Sequence, residues 1–197
     1  MCKEKHFLLE VKILLVDFYD SFTYNLAHYL EPLCEQVDVI RDNEIKFETI
    51  SNYDKIILSP GPGLPENTQS MKLILEKFSG VIPILGVCLG MQGIVQFLGG
   101  SLTQKKMILH GKPVQLQVEK QSLLFADLPA KFNVGLYHSW EVKVPDDKKY
   151  LITAYDEHGV IMAIENPEKK LVGVQFHPES ILTEYGKEIL SNFCRLM

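Results

Sequence analysis

Over the first hundred residues the apolar positions switch repeatedly between a strand rhythm and a helix rhythm, and that switching restricts the fold more than any single residue does. Residues 11–18 form a β-branched and apolar run that reads as a buried strand. Phe22, Leu26, Tyr29, Leu30 and Leu33 then recur at helical spacing, with Asp20 or Ser21 available as N-cap. Pro32 predicts that this helix ends or kinks near it. Residues 37–40 and 55–58 read as short strands, and Met71, Ile74, Leu75 and Phe78 as a second helical stripe. Residues 84–87 are an apolar strand with Pro83 at or just before its start, and 89–98 return to a helix. Strands and helices alternating at this spacing predict a parallel sheet covered on both faces. From residue 100 to 176 the pattern changes to short alternating runs, at 114–118, 151–154 and 160–164, which read as antiparallel strands. Tyr185, Ile189 and Phe193 mark a closing helix. The expected fold is a three-layer α/β domain: a mainly parallel central sheet, helices on both faces, and an antiparallel annex in the second half.

Composition narrows the class of function. The chain has 197 residues, 46% of them hydrophobic, and a net charge of −5. That apolar fraction excludes disorder, and the acidic balance disfavours nucleic acid, whose phosphates demand a basic face. No repeat, linker or charge block divides the chain, so residues 11–197 read as one domain, with residues 1–10 an N-terminal extension of no assigned role. Cys2, Cys34, Cys88 and Cys194 include no Cys-x-x-Cys pair and no zinc-like spacing, so no metal is expected. Glu10 and Lys12 interrupt the N-terminal apolar stretch and spoil it as a secretion signal. The longest uncharged apolar run, 81–91, is far short of the ~20 residues of a membrane helix. A cytoplasmic protein with reduced thiols and no membrane contact is expected.

Three segments carry chemistry. Gly86-Val87-Cys88-Leu89-Gly90 places a cysteine between a strand and a helix in the form G-x-C-x-G, the cysteine version of a nucleophile elbow. Its glycines flank a turn too tight for side chains on either side, and the helix N-terminus favours a thiolate at Cys88. The competing reading is an inert core cysteine. Gln92, one helical turn on, shares that face and can hold a polar substrate, although a solvent-facing glutamine is the plainer reading. In the second segment, His177 and Glu179 flank Pro178, which biases His177 toward an extended conformation. Residues i and i+2 of an extended segment face the same side, so Glu179 can hold one imidazole nitrogen and leave the other for Cys88. The order Cys, His, Glu differs from the α/β-hydrolase order and points to another α/β family. The third segment, Ser59-Pro60-Gly61-Pro62-Gly63, follows a predicted parallel strand at the sheet edge where ligands bind. Pro62 has no N–H, so an oxyanion donor there is Gly61 or Gly63, and the second donor is Leu89. A plain turn is the alternative. Tyr137-His138-Ser139-Trp140 reads as a pocket wall or a strand end, and Tyr19-Asp20-Ser21-Phe22-Thr23-Tyr24-Asn25 as a helix cap with a polar network.

Together GVCLGMQ, HPES and SPGPG resemble the class I, triad-type glutamine amidotransferases over residues 11–193. YDSFTYN and HSW are similar to the subgroup serving chorismate-using enzymes of anthranilate and aminodeoxychorismate (para-aminobenzoate) synthesis. The resemblance implies a flavodoxin-like fold and a Cys88 thioester formed with L-glutamine, His177 acting as acid and base and Glu179 orienting it. It implies that Gly61, Pro62, Gly63, Gln92, Ser139 and Trp140 line the glutamine site, and that no cofactor is needed. It also implies a partner chain, the chorismate-using component I, which receives the ammonia. Met91 stands where the subgroup usually has histidine, and Phe18 where it has asparagine. Two rivals remain: a stand-alone cysteine hydrolase of γ-glutamyl or amide bonds, and a non-catalytic regulatory subunit. The second predicts a missing nucleophile or base, yet Cys88, His177 and Glu179 are all present.

Overall fold

A computed structural model describes residues 9–104, 111–119, 122–145 and 149–196. In chain order its elements are β1 (Leu9–Asp17), α1 (Thr23–Leu30), β2 (Cys34–Arg41), β3 (Lys55–Leu58), α2 (Met71–Phe78), β4 (Ile84–Val87), α3 (Leu89–Phe97), β5 (Ser101–Gln104), β6 (Lys112–Val118), β7 (Lys131–Leu136), β8 (Trp140–Lys143), β9 (Leu151–Asp156), β10 (Ile161–Asn166), β11 (Leu171–Val174) and α4 (Gly186–Leu196). Three short 3₁₀ turns, Asp42–Glu44, Phe47–Asn52 and Pro65–Asn67, complete the list.

The main sheet has nine strands in the order β2-β1-β3-β4-β11-β10-β9-β6-β7. From β2 to β11 neighbours are parallel, and from β11 to β7 they are antiparallel. The antiparallel strands expected as an annex therefore continue the central sheet, and a separate two-stranded piece, β5 with β8, stands apart. Strand β1 starts at Leu9, which pairs with Cys34 ahead of an irregularity that ends at Lys12. The charges of Glu10 and Lys12 hid that start, because this stretch is only half-buried and needs no apolar run. Residues 1–8 of the expected extension lie outside the described residues.

Alternation within each strand splits the core in two. Ile13, Leu15, Ile57, Leu85, Val87, Val172 and Val174 face α1 and α4, where Leu26, Leu30, Ile189 and Phe193 pack. Leu14, Val16, Ile56, Leu58, Ile84 and Leu171 face α2 and α3, where Met71, Ile74, Leu75, Ile94 and Val95 pack. Both faces of the central strands are covered, which is why β4, β11 and, after its buried Lys55, β3 are apolar without alternation. Helix α1 ends at Leu30 with Glu31 as C-cap, just before Pro32. Its N-cap is Phe22, not Asp20 or Ser21: the Asp20 carboxylate accepts the Phe22 N–H at 2.8 Å, closing a turn one step before the helix.

Candidate active site

Strands β4 and β11 are parallel neighbours with Val87 opposite Val174, so the segments leaving their C-terminal ends run side by side. The Cys88 N–H donates to the Val174 carbonyl at 2.8 Å and fixes that alignment beyond the last strand residues. Cys88 itself has φ 52° and ψ −101°, the strained turn expected of an elbow. The flanking glycines are obligatory. A Cβ on Gly86 would lie 2.4 Å from the Gly90 carbonyl carbon, and one on Gly90 would lie 2.3 Å from the Leu58 oxygen. Helix α3 opens at Leu89, whose N–H is one of those left without an intrahelical acceptor.

Beyond β11 the chain bends at Gln175 and Phe176 and reaches His177, where the Ser180 N–H donates to the His177 carbonyl at 3.1 Å, so that Pro178 and Glu179 lie in a turn and not in the extended segment expected. Nδ1 of His177 donates to Oε1 of Glu179 at 2.7 Å, and both side chains are almost wholly buried. The ring is held edge-on by Tyr137, 4.8 Å away between centroids, and by Phe22 at 5.5 Å. Its backbone is tied down as well: the His177 N–H reaches the Gly135 carbonyl at 3.2 Å, and Thr183 Oγ1 donates to the His177 carbonyl at 2.6 Å. The buried Nε2 makes no hydrogen bond. Burial alone would push this imidazole below its ordinary value; the Cys88 sulfur and the Glu179 carboxylate reverse that and raise it to about 10. A protonated ring therefore stands beside the nucleophile at neutral pH.

A cavity of about 480 Å³ opens over Cys88 and Gln92, walled by Tyr19–Ser21, Gly61–Gly63 and Tyr137–Trp140. Six of the seven residues expected to bind substrate (Gly61, Pro62, Gly63, Gln92, Ser139 and Trp140) thus meet at one place. The seventh, Leu89, turns its side chain toward Gly61: a Cβ on Gly61 would lie 2.7 Å from Leu89 Cδ2 and 2.7 Å from Phe18 O. Only a glycine lets the 59–63 loop pack directly on the elbow. Ser59 locks that loop to β1, its Oγ accepting the Phe18 N–H at 2.9 Å. The 19–25 segment both walls the cavity and closes a polar turn, since Asp17 Oδ1 accepts from the Tyr19 N–H and from Thr23 Oγ1, each at 2.9 Å. The 137–140 segment is likewise wall and strand start, because β8 begins at Trp140.

Met91 and Phe18, the two departures from the subgroup pattern, are buried in the core. Met91 lies against Gly173, where a Cβ would be 2.7 Å from its Cγ. Among the described residues no group of three His, Cys, Asp or Glu side chains is placed to hold a metal ion. A roomier cavity of about 770 Å³, lined by Gln117, Lys131 and Tyr155 among others, does not reach Cys88. Chemistry, not volume, selects the site.

Gln175 was not singled out from the sequence. Its Nε2 donates to Cys88 Sγ at 3.6 Å, and its Oε1 accepts from Gln92 Nε2 at 3.4 Å. Gln175 lies one residue past the end of β11, where the chain bends, and no local pattern marks it.

Comparison with known proteins shows the family. The family profile described as "Glutamine amidotransferase class-I" matches residues 14–197. The "Anthranilate synthase component 2" of Lactococcus lactis is 42% identical over 186 residues, covering 92% of each chain. The "Aminodeoxychorismate/anthranilate synthase component 2" of Bacillus subtilis is 40% identical over 185 residues, covering 92% of this chain and 94% of its own. A glutamine amidotransferase crystal structure from Thermotoga maritima superposes with a TM-score of 0.72 at 18% identity, over 94% of this chain and 96% of that one, a likeness of fold. With a profile match across nearly its whole length, the chain belongs to the class I glutamine amidotransferases.

Proposed function

We propose that this chain is the glutamine-hydrolysing subunit of a chorismate-using synthase, with Cys88, His177 and Glu179 as its triad. The observation that carries the reading is the β4–β11 register, which sets Cys88 beside the His177–Glu179 pair at the floor of a cavity suited to an amino acid. Cys88 Sγ adds to the side-chain carboxamide carbon of L-glutamine. The N–H of Leu89, with that of Gly61 or Gly63, donates to the developing oxyanion. Gln92, Ser139, Trp140 and Pro62 hold the rest of the substrate. His177 gives its proton to the amide nitrogen, ammonia leaves, and a thioester remains. Thioester formation ties up the Cys88 sulfur, one of the two groups that raise His177. The ring is then a base, takes a proton from water, and glutamate departs. Glu179 fixes the imidazole throughout.

Ammonia is useful only where an acceptor enzyme receives it before it is protonated in bulk water. The relatives named as second components of anthranilate and aminodeoxychorismate synthases support a first component as that acceptor. A Thermotoga maritima relative, "Bifunctional protein TrpGD", carries a similar segment within a longer chain, of which the present chain covers 32%. Residues 11–197 act as one domain in this reading, and the cytoplasm is its compartment; no helix of the described residues is long and apolar enough to cross a membrane. The test is to mix the purified chain with an anthranilate-forming and an aminodeoxychorismate-forming subunit and to assay glutamine-dependent product. Product with either partner, dependent on Cys88, is expected. Full glutamine turnover by the isolated chain with no binding to either partner would replace this reading with a stand-alone hydrolase.

A further inference from the structure

Cys88 works in a nearly dry place. The cysteine is 7% exposed, Gln92 3% and Gln175 0%, so few water molecules can reach the sulfur when it carries charge. Some fixed dipole must take their part, because an unsolvated thiolate is costly in a low-dielectric site. The α3 N-terminus supplies part of it, and the His177 imidazolium another. Gln175 is the third group at hand, with its Nε2 3.6 Å from Sγ.

The amide is oriented, not merely near. Gln175 is anchored through its backbone, its N–H donating to the Met162 carbonyl on β10 at 2.8 Å. Its side chain is anchored by Gln92, which donates from Nε2 to Oε1 at 3.4 Å. Donors then run in one direction, from Gln92 to Gln175 to Cys88. Turning the Gln175 amide over would press a carbonyl oxygen against an anionic sulfur, so sulfur charge and the Gln92 bond select the same rotamer. Gln92 has a second duty besides walling the cavity: it holds this donor in place.

We propose that Gln175 is a further catalytic residue of the chain, its side-chain N–H stabilising Cys88 Sγ as the attacking thiolate and again as the leaving group of the second half-reaction. The inference rests on the reading of Cys88 as nucleophile. In that second step a C–O bond forms from water to the thioester carbon and the water proton passes to His177. The C–S bond then breaks, its electron pair returning to Sγ and to the waiting N–H of Gln175.

The experiment measures the pH profile of Cys88 alkylation by iodoacetamide together with glutaminase kcat and KM, in the full chain and in three variants. Gln175→Met keeps length and packing and removes the donor. Its alkylation profile is expected to move to higher pH by about one unit, and kcat to fall roughly 10- to 100-fold with KM little changed, the size of one lost charge-assisted hydrogen bond. Gln175→Glu, isosteric but with an acceptor facing the sulfur, should move the profile further and serves if the methionine variant does not fold. Gln92→Met, which frees the amide to turn, should raise KM and also shift the profile. An unmoved profile in the folded Gln175 variants, or a loss confined to KM, overturns the proposal. Cys88→Ser separates the two ideas: if that variant still hydrolyses glutamine, the nucleophile assignment falls, whereas an inactive Cys88→Ser beside an unmoved Gln175 profile removes only the role of Gln175.

Discussion

At the level of single residues, the chemistry turns on how His177 keeps its proton. Burial opposes the charged ring, and Cys88 and Glu179 overcome burial, holding it at about 10 against an ordinary 6.5. The fold therefore favours the protonated form. The stability this contributes is complete below pH 6.5 and is lost as pH rises through about 10. Thermal unfolding between pH 7 and 10.5 should show a falling midpoint, with a shallower fall in Glu179→Gln, where one of the two charges is gone. By NMR the wild-type ring should stay protonated through neutral pH, and in Cys88→Ser it should titrate at lower pH. Activity separates the roles: Glu179→Gln should lose about 10- to 100-fold less turnover than His177→Ala, because an orienting carboxylate is less costly to remove than the base it orients. The opposite ranking would reverse the assignment. Cys88→Ser should abolish glutamine turnover in a normally folded chain. Among the described cysteines Cys88 should also alkylate fastest. Cys34 and Cys194 lie buried with their sulfurs 3.6 Å apart. The hydrogen bond to Cys34, and burial after it, push the Cys194 thiol far above its usual range. Cys34 is shifted down by the same hydrogen bond, against burial and with help from Lys55, yet at 3% exposure it is closed to reagent. Equal labelling of the three would remove the case for an activated Cys88.

One scale up, the elbow is the element on which the site depends. It holds a strained φ at Cys88 because β4, α3 and the end of β3 meet with no room for a Cβ at Gly86 or Gly90. Gly90→Ala would drive a methyl to 2.3 Å from the Leu58 carbonyl oxygen, so the helix must shift away from β3. A loss of about 1–3 kcal/mol is expected from overpacking of this kind. For a chain of this size that lowers the melting temperature by roughly 2–4 °C per kcal/mol. Activity should fall more steeply than stability, since Cys88 and the Leu89 N–H both move with the helix. A variant that melts and turns over like wild type would show the elbow to be looser than described. The elements most visible from sequence were those with a long apolar period: β1, α2, β4, α3 and α4. Strands β5, β7, β8 and β11 were missed, because each pairs across a gap in sequence that no local pattern records. The α1 cap was misplaced because Asp20 caps a turn before the helix rather than the helix itself.

Across the whole molecule, the loops after β1, β3, β4 and β11 gather at the C-terminal edge of the parallel strands, in the 2-1-3-4 order that places a ligand crevice there. Apolar side chains stand exposed on segments flanking this crevice, Tyr19 at 51% and Ile181 at 96%, the latter one residue past Ser180 in the triad loop. If ammonia passes directly into a synthase subunit, the partner must cover this edge. Ile181→Asp should therefore weaken binding of that subunit about tenfold or more and reduce its stimulation of glutamine turnover, while leaving the isolated chain's turnover unchanged. Titration of the partner against wild type and variant, read by glutaminase rate, checks this; equal stimulation would move the docking face elsewhere.

By itself the sequence marked Cys88, His177 and Glu179 as the candidate nucleophile and base pair. G-x-C-x-G and His-Pro-Glu are local patterns; the geometry of the first follows from turn sterics, whereas His177 and Glu179 meet within a turn and not along extended chain. It determined β1 to β4 as strands of a parallel sheet, since a strand buried on both faces announces itself as a continuous apolar run, whereas β11, which pairs parallel to β4, lies in the stretch that reads as antiparallel. What only the tertiary structure decided was which segments meet. The pairing of Val87 with Val174 brings Gln175 to a sulfur 87 positions away in sequence, and no local period encodes that encounter. The same holds for β6, β9 and β10, which read correctly as antiparallel but not as extensions of the central sheet. A strand's own residues state how it is buried; its neighbour is chosen by backbone hydrogen bonds that every residue type makes alike.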